Sequence, residues 1–241
     1  MLRIDKLLAN MGYGTRKEVK KLLKSGVVKI DDVVVKDAKT QVDPNTQVVT
    51  VWGEVVQYKP FIYLMMNKPQ GVISATEDLT QETVVDLLEE EDRIFNPFPV
   101  GRLDKDTEGL LLLTNDGQLA HQLLSPKKHV PKTYFAVVDG EVTEEDVQLF
   151  RQGVVLDDGY QTKPAELTIL KSGIRSDVEL TITEGKFHQV KRMFAAVGKR
   201  VVYLKRIQMG PLPLDETLEP GEYRELTDEE IALLKGEHME E

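Results

Sequence analysis

Four consecutive leucines, Leu110, Leu111, Leu112 and Leu113, stand between Gly109 and Thr114-Asn115-Asp116-Gly117. An unbroken apolar run of this kind reads as a short buried strand, and the Asn-Asp-Gly after it reads as the hairpin or loop that the strand leaves into. Residues 101–108, GRLDKDTE, are then a polar loop delivering a carboxylate to the edge of a buried sheet. Loops held by rigid strands are where chemistry tends to sit. Taken alone, Arg102 and Asp104 suit a turn former or helix cap with an exposed ion-pair partner, a contact of minor energy.

The whole run GRLDKDTEGLLLLTNDG says more than the pair. It resembles the catalytic signature of the RsuA-type pseudouridine synthases, which modify uridines in ribosomal RNA. The resemblance implies that Asp104 is the carboxylate beside the ribose. It also implies that Arg102 occupies the stack vacated by a flipped base, offsetting part of the cost of flipping.

Length and composition set the frame. A chain of 241 residues, 41% hydrophobic, can form one large or two modest domains with a proper core. It has no cysteine, which excludes disulfides and thiolate metal sites and fits a cytoplasmic protein. Asp5 and Lys6 stand where a signal peptide would be apolar, and no stretch is long and apolar enough for a membrane helix. The net charge of −10 argues against a nucleic-acid partner, but its distribution argues for one. Residues 1–40 hold ten Lys and Arg against five Asp and Glu, whereas residues 215–241 hold two against eleven. A basic head and an acidic tail focus the field rather than spreading it.

In the basic head, apolar spacing predicts a helix over residues 2–11. A second is predicted over 16–24, with Thr15 as N-cap and Glu18 completing a capping box. Lys17, Lys20, Lys21 and Lys24 then share one face. Strands are predicted at 27–30, 33–35 and 48–51, with turns at Asp31-Asp32 and Asp43-Pro44-Asn45. The pattern of Arg3, Asp5, Lys6, Leu7-Leu8-Ala9, Gly12, Thr15-Arg16, Gly26-Val27-Val28 and Asp31 resembles the S-four RNA-binding domain. That implies Arg3, Lys6, Arg16, Lys17, Lys20, Lys21 and Lys24 lie against RNA phosphates, giving affinity rather than sequence readout. The boundary is expected near Pro60, with residues 1–58 forming the RNA-binding domain and 61–241 the catalytic domain.

Beyond Pro60, a strand over 61–66 ends in Lys68-Pro69-Gln70-Gly71, which looks like the first synthase motif and implies a support for the signature loop. A short helix is predicted over 84–88 and another over 119–124. Strands are predicted from 132 to 138, at 165–170, 176–183 and 201–207, and a helix over 187–197. A terminal helix over 229–234 precedes a frayed end. By propensity Tyr134 is a packing aromatic. Lys132-Thr133-Tyr134 resembles the family's second motif, which implies that the ring packs on the target base and that the hydroxyl is a candidate base. Residues 184–212 resemble the third motif, which implies that Lys191 is the basic residue and Leu204 the apolar wall. A carboxylate that must stay ionised away from water needs a cation within about 4–6 Å. Lys191 is the candidate, and it acts as a point charge rather than a planar fork. His188 reads as structural or as an RNA contact.

The implied reaction breaks N1–C1′, turns the uracil and joins C5 to C1′. It consumes nothing, so a site with no cofactor and no metal suffices. Whether the carboxylate adds to C1′ or removes the C2′ proton stays open. The third motif and residues 220–231 look most like the small-subunit enzyme, which modifies uridine 516 of 16S rRNA; a 23S uridine is the alternative. The partner expected is structured ribosomal RNA, with the protein a monomer. A non-catalytic RNA-binding assembly factor would not need Asp104, Tyr134 and Lys191 in their three motifs. A glycoside hydrolase would want a second carboxylate flanking the bond. The expected fold is α+β: a small head of helices and hairpins, and a larger domain with a mostly antiparallel mixed sheet.

Overall fold

A computed structural model of the chain describes residues 1–236, and the chain divides into two compact units. The first is Met1–Ile62 with Leu88–Asn96; the second is Tyr63–Leu87 with the residues from Pro97 onward.

In the first unit, α1 (Ile4–Asn10) and α2 (Arg16–Lys24) share a core with a four-stranded antiparallel sheet. Ile4, Leu7, Leu8, Val19 and Leu23 pack with Val28, Ile30, Val49 and Val51. The helix expected from residue 2 begins later. Leu2–Arg3 pairs with Gln41–Val42, and the Ile4 N–H donates to Thr40 O at 2.9 Å, so this backbone belongs to a small ladder. α2 has the predicted bounds and the predicted capping box. Asp31 and Asp32 form the turn between Val28–Ile30 and Val33–Val34. Their φ values of 48° and 65° are the left-handed conformations that a two-residue hairpin requires.

The second unit carries β1 (Tyr63–Lys68), β2 (Glu108–Thr114), α3 (Gly117–Leu124), β3 (Lys132–Asp139), α4 (Glu144–Gln152), β4 (Glu166–Lys171) and β5 (Arg175–Ile182). It continues through α5 (Gln189–Ala196), β6 (Arg200–Met209), β7 (Tyr223–Glu225) and α6 (Asp228–Lys235). The sheet order is β4-β5-β3-β6-β2-β1-β7, antiparallel except where β6 meets β2. This is the α+β architecture with a mostly antiparallel mixed sheet expected from the sequence. The terminal helix is present, and residues 237–241, where a frayed end was expected, lie outside the described residues. Among the described residues no helix is long and apolar enough to cross a membrane.

All four leucines of β2 are buried. Leu110 and Leu112 pack with Leu119 and Leu123 of α3, while the alternating pair points to the opposite face. Of the hairpin or loop expected after the strand, a short loop at Asn115 and Asp116 is present, and it leads straight into α3. The Asp116 carboxylate accepts N–H bonds from Gln118 (3.1 Å) and Leu119 (3.0 Å), and the Tyr63 hydroxyl donates to it at 2.7 Å. Asp is as good an N-cap as a turn residue, and the apolar spacing after it decides for the helix.

The helix expected over 84–88 is a turn. The Asp86 carboxylate accepts from the Thr83 N–H (2.8 Å) and hydroxyl (3.0 Å), closing the segment locally. The helical turn lies further on, at Glu90–Arg93.

One glycine joins the two halves of the sheet. Gly109 has φ 106°, and a Cβ there would stand 2.2 Å from Arg206 O across the parallel β2–β6 pair. Nothing larger fits, and this junction sets the polar loop at the start of β2 against β6. On the sheet's other half the rings of Phe150 on α4 and Phe194 on α5 meet tilted, with centroids 5.0 Å apart, and Lys191 of α5 reaches Asp104 and Asp106 of the loop.

Candidate active site

Residues 101–107 are pinned from below by the Lys-Pro-x-Gly segment. The Gly71 N–H donates to Lys105 O at 2.8 Å. The Ser74 hydroxyl donates to Leu103 O (3.1 Å) and accepts from the Leu103 N–H (3.0 Å). Lys68 is fully buried, and its ammonium donates to Pro69 O (2.8 Å), Lys105 O (3.3 Å) and Thr107 O (2.9 Å). The Thr107 N–H donates to Asp104 O at 3.0 Å and closes the turn. A loop without regular structure is thereby held at both backbone edges.

Burial pushes the Lys68 ammonium down to about 8, although the carboxylates of Asp106, Asp104 and Glu108 partly support its charge. Below pH 8 both folded and unfolded chains are protonated here, and the fold bears the cost of burying the charge. Between about 8 and 10.5 the unfolded chain binds more protons, so this group makes stability rise with pH, by about 3 kcal/mol in all. Chemical denaturation of wild type and Lys68→Met across that interval is expected to give curves that diverge in favour of the wild type as pH rises. Parallel curves would show that Lys68 does not titrate there.

At the top of the loop, Asp104 Oδ2 accepts from Lys191 Nζ at 3.1 Å, and the same ammonium donates to Asp106 Oδ1 at 2.6 Å. Burial pulls the Lys191 ammonium down, but its hydrogen bonds to Asp106 and Asp104 outweigh this and raise its pKa above the ordinary lysine value. The Lys191 hydrogen bond in turn holds Asp106 below the usual carboxylate range. A point charge that was expected to serve one carboxylate therefore bridges two.

Tyr134 on β3 and Leu204 on β6 are both buried. Tyr134 pairs with Arg206, and Ala136 with Leu204, so Tyr134 and Leu204 are diagonal neighbours on one face. With Arg102, Asp104 and Lys191 they line one cavity of about 90 Å³. About 10–15 Å³ is enough to admit one water, so this space is several times that minimum. A groove of about 770 Å³ shares Arg102, Asp104 and Lys191. Arg102 is exposed and makes no ion pair with Asp104, or with any other carboxylate among the described residues. Its side chain stands at the mouth with its charge uncommitted.

Two neighbours of Asp104 escaped the sequence reading. Asp106 shares Lys191. His188, read as structural or as an RNA contact, places Nε2 3.5 Å from Asp104 Oδ1 and stacks its ring on Phe187 at 3.8 Å. Its φ of 47° turns the chain just before α5, and nothing in the residue string announces a left-handed histidine. Gln189 braces the turn, donating to Glu184 Oε1 at 2.9 Å and accepting from the Lys186 N–H at 2.8 Å.

In the first unit, Lys6, Arg16, Lys17, Lys20, Lys21 and Lys24 are exposed. Arg3 differs: it is half-buried, with a two-point bond to the buried Asp5 carboxylate (Nε–Oδ1 3.0 Å, Nη2–Oδ2 2.7 Å). That fork is engaged within the fold.

The architecture and cavity are those of an enzyme site built around an ion-paired carboxylate, and comparison with known proteins says which kind. The family model described as RNA pseudouridylate synthase matches residues 62–196, and that of the S4 domain matches residues 2–48. A Bacillus subtilis protein described as the uncharacterized RNA pseudouridine synthase YtzG is 62% identical over 97% of this chain and 98% of its own length. The Vibrio cholerae ribosomal small subunit pseudouridine synthase A is 44% identical over 96% of this chain and 98% of its own. A crystal structure of a pseudouridylate synthase superposes with a TM-score of 0.68 at 39% identity, covering 97% of this chain and all of that one. The chain belongs to the RNA pseudouridylate synthase family, in its RsuA-type branch with an N-terminal S4 domain. It is an isomerase that binds RNA and converts uridine to pseudouridine.

Proposed function

We propose that the substrate is small-subunit ribosomal RNA and that the target is uridine 516 of 16S rRNA. The observation that carries the site assignment is the Lys191-paired Asp104 lining one cavity with Tyr134 and Leu204. The similarity to the Vibrio cholerae small-subunit enzyme, running nearly end to end, supports the choice of RNA. A uridine flipped into the cavity has its uracil between the Tyr134 ring and Leu204, and its ribose toward Asp104. Arg102 takes the place of the base in the RNA stack. Asp104 either adds to C1′ or removes the C2′ proton; in both routes N1–C1′ breaks and C5–C1′ forms. The C5 proton leaves and N1 gains one, so nothing is consumed. Tyr134 holds the base and is placed to move the C5 proton. Lys191 supplies the countercharge beside the Asp104 carboxylate, at 3.1 Å.

The head, residues 1–58, seats the RNA, and residues 61–241 carry out the chemistry. The enzyme works in the cytoplasm as a monomer. Lys6, Arg16, Lys17, Lys20, Lys21 and Lys24 lie against phosphates, and Arg3 contributes through the fold of α1. Changing Lys17, Lys20, Lys21 and Lys24 together to Gln is expected to weaken RNA binding ten- to a hundredfold. The slope of log K against log salt should become shallower by roughly 0.7–0.9 for each phosphate no longer neutralised. A filter-binding series from low to physiological salt measures both; an unchanged slope means that α2 does not face RNA. For the substrate, purified protein is incubated with 16S and 23S transcripts and the pseudouridines are mapped. Conversion at position 516 is the expected result, and conversion only in 23S RNA overturns the choice of target.

A further inference from the structure

A second pocket, of about 420 Å³, adjoins the base cavity and shares Tyr134, Arg102 and Lys186 with it. The chemistry of the base cavity does not use it. Its floor holds two cations that the fold leaves without a carboxylate. Arg206 on β6 is only 2% exposed, and its Nε donates to Leu110 O at 2.8 Å. Its Nη2 is buried with no hydrogen-bond partner. Lys132 on β3 is half-buried beside it, and among the described residues its ammonium reaches only Val130 O, at 3.4 Å. Burial and the neighbouring Arg206 both push the Lys132 ammonium below its ordinary pKa.

Neither residue forms an ion pair among the described residues. The wall is cationic as well. Lys163 approaches His129 Nδ1 at 3.1 Å, and Lys186 sits 4.6 Å from the centre of the Tyr160 ring. The single carboxylate in the lining, Glu184, is taken up by the Tyr160 hydroxyl (2.5 Å), the Lys163 N–H (2.8 Å) and Gln189 Nε2 (2.9 Å).

Like charges held together in a poorly solvated place destabilise the free protein unless an anion joins them. The anion must be compact, must come with the substrate, and must fit within one nucleotide's reach of the base cavity. A backbone phosphodiester has these properties. We infer that the Lys132–Arg206 pocket is a phosphate subsite, which grips a backbone phosphate of the RNA strand next to the flipped uridine. Lys132 makes the contact, and Arg206 supplies the charge behind it. Holding the backbone there fixes where the flipped ribose can lie relative to Asp104. This inference rests on the reading of the base cavity as the uridine site.

The test uses the full chain, with Lys132→Gln and Lys132→Arg, and a stem-loop RNA carrying uridine 516 and its neighbours. Each phosphate flanking the uridine is replaced in turn by an uncharged methylphosphonate. Lys132→Gln is expected to bind about tenfold more weakly, with a salt slope shallower by about 0.7–0.9, and Lys132→Arg to restore both. One methylphosphonate should weaken wild-type binding to the same extent and cost Lys132→Gln nothing more. Unchanged affinity and slope in Lys132→Gln, equal methylphosphonate penalties in both proteins, or no RNA binding by the wild type overturns the subsite. Pseudouridine formation is followed in the same samples. Lys132-dependent binding without any pseudouridine would keep the subsite and remove the base-cavity reading. Full-rate conversion and unchanged binding by Lys132→Gln would remove the subsite alone.

Discussion

Asp104→Asn is expected to lower pseudouridine formation by at least about 10⁴-fold, the scale seen when a reacting group is removed from a preorganised site. RNA affinity should stay within about threefold of wild type. The amide keeps the shape of the carboxylate, and an oxygen can still accept from Lys191, which remains paired to Asp106 at 2.6 Å. The loop keeps its anchors on Lys68, Gly71 and Ser74, none of which involves the Asp104 side chain. The substitution therefore removes charge and nucleophilicity and little else. Single-turnover conversion and binding, measured on the same RNA, separate the two. An Asp104→Asn protein that retains more than about a hundredth of the rate would place the reacting carboxylate elsewhere, with Asp106 the next to examine.

Lys191→Met is the second large effect, a loss of about 10²–10³-fold in the chemical step. Met keeps the length and apolar stem of the side chain but deletes the ammonium at 3.1 Å from Asp104 and 2.6 Å from Asp106. Two carboxylates then face one cavity without their shared cation, and the nearest remaining basic group is His188 at 3.5 Å. The two charges then repel without a countercharge, and Asp106 loses the hydrogen bond that holds it below the usual carboxylate range. The pair is partly exposed, so folding stability should change by only about 1 kcal/mol. Lys191→Arg should recover most of the rate, because a guanidinium can serve both carboxylates at once. An unchanged single-turnover rate in Lys191→Met would reduce Lys191 to a surface ion pair.

Much of this site is written in contiguous residues. The loop and strand from Gly101 to Gly117 form one uninterrupted segment, so the position of Asp104 at a buried strand's edge could be read directly. Lys191 could be paired with it because an ionised carboxylate away from water demands a cation. The capping box at Thr15 and Glu18 is a local pattern and gave α2 its bounds. The features that stayed hidden are those made by register or by local competition. Asp106 meets Lys191 across 85 residues of sequence, and His188 reaches Asp104 only through a left-handed turn. Lys132 and Arg206 become neighbours only once β3 is laid beside β6 in register. Asp116 and Asp86 show the competition: each could cap or turn, and what followed in the chain decided between the two. Arg3 looked like a free cation until the buried Asp5 beneath it was in view.

The most direct measurement is pseudouridine mapping of both ribosomal RNAs in cells lacking this protein, complemented with wild type or with Asp104→Asn. The expected result is the loss of one pseudouridine, at position 516 of 16S rRNA, restored only by the wild type. Restoration by Asp104→Asn, or no ribosomal RNA site lost in cells without a second enzyme for it, would contradict the assignment of Asp104 and of the reaction.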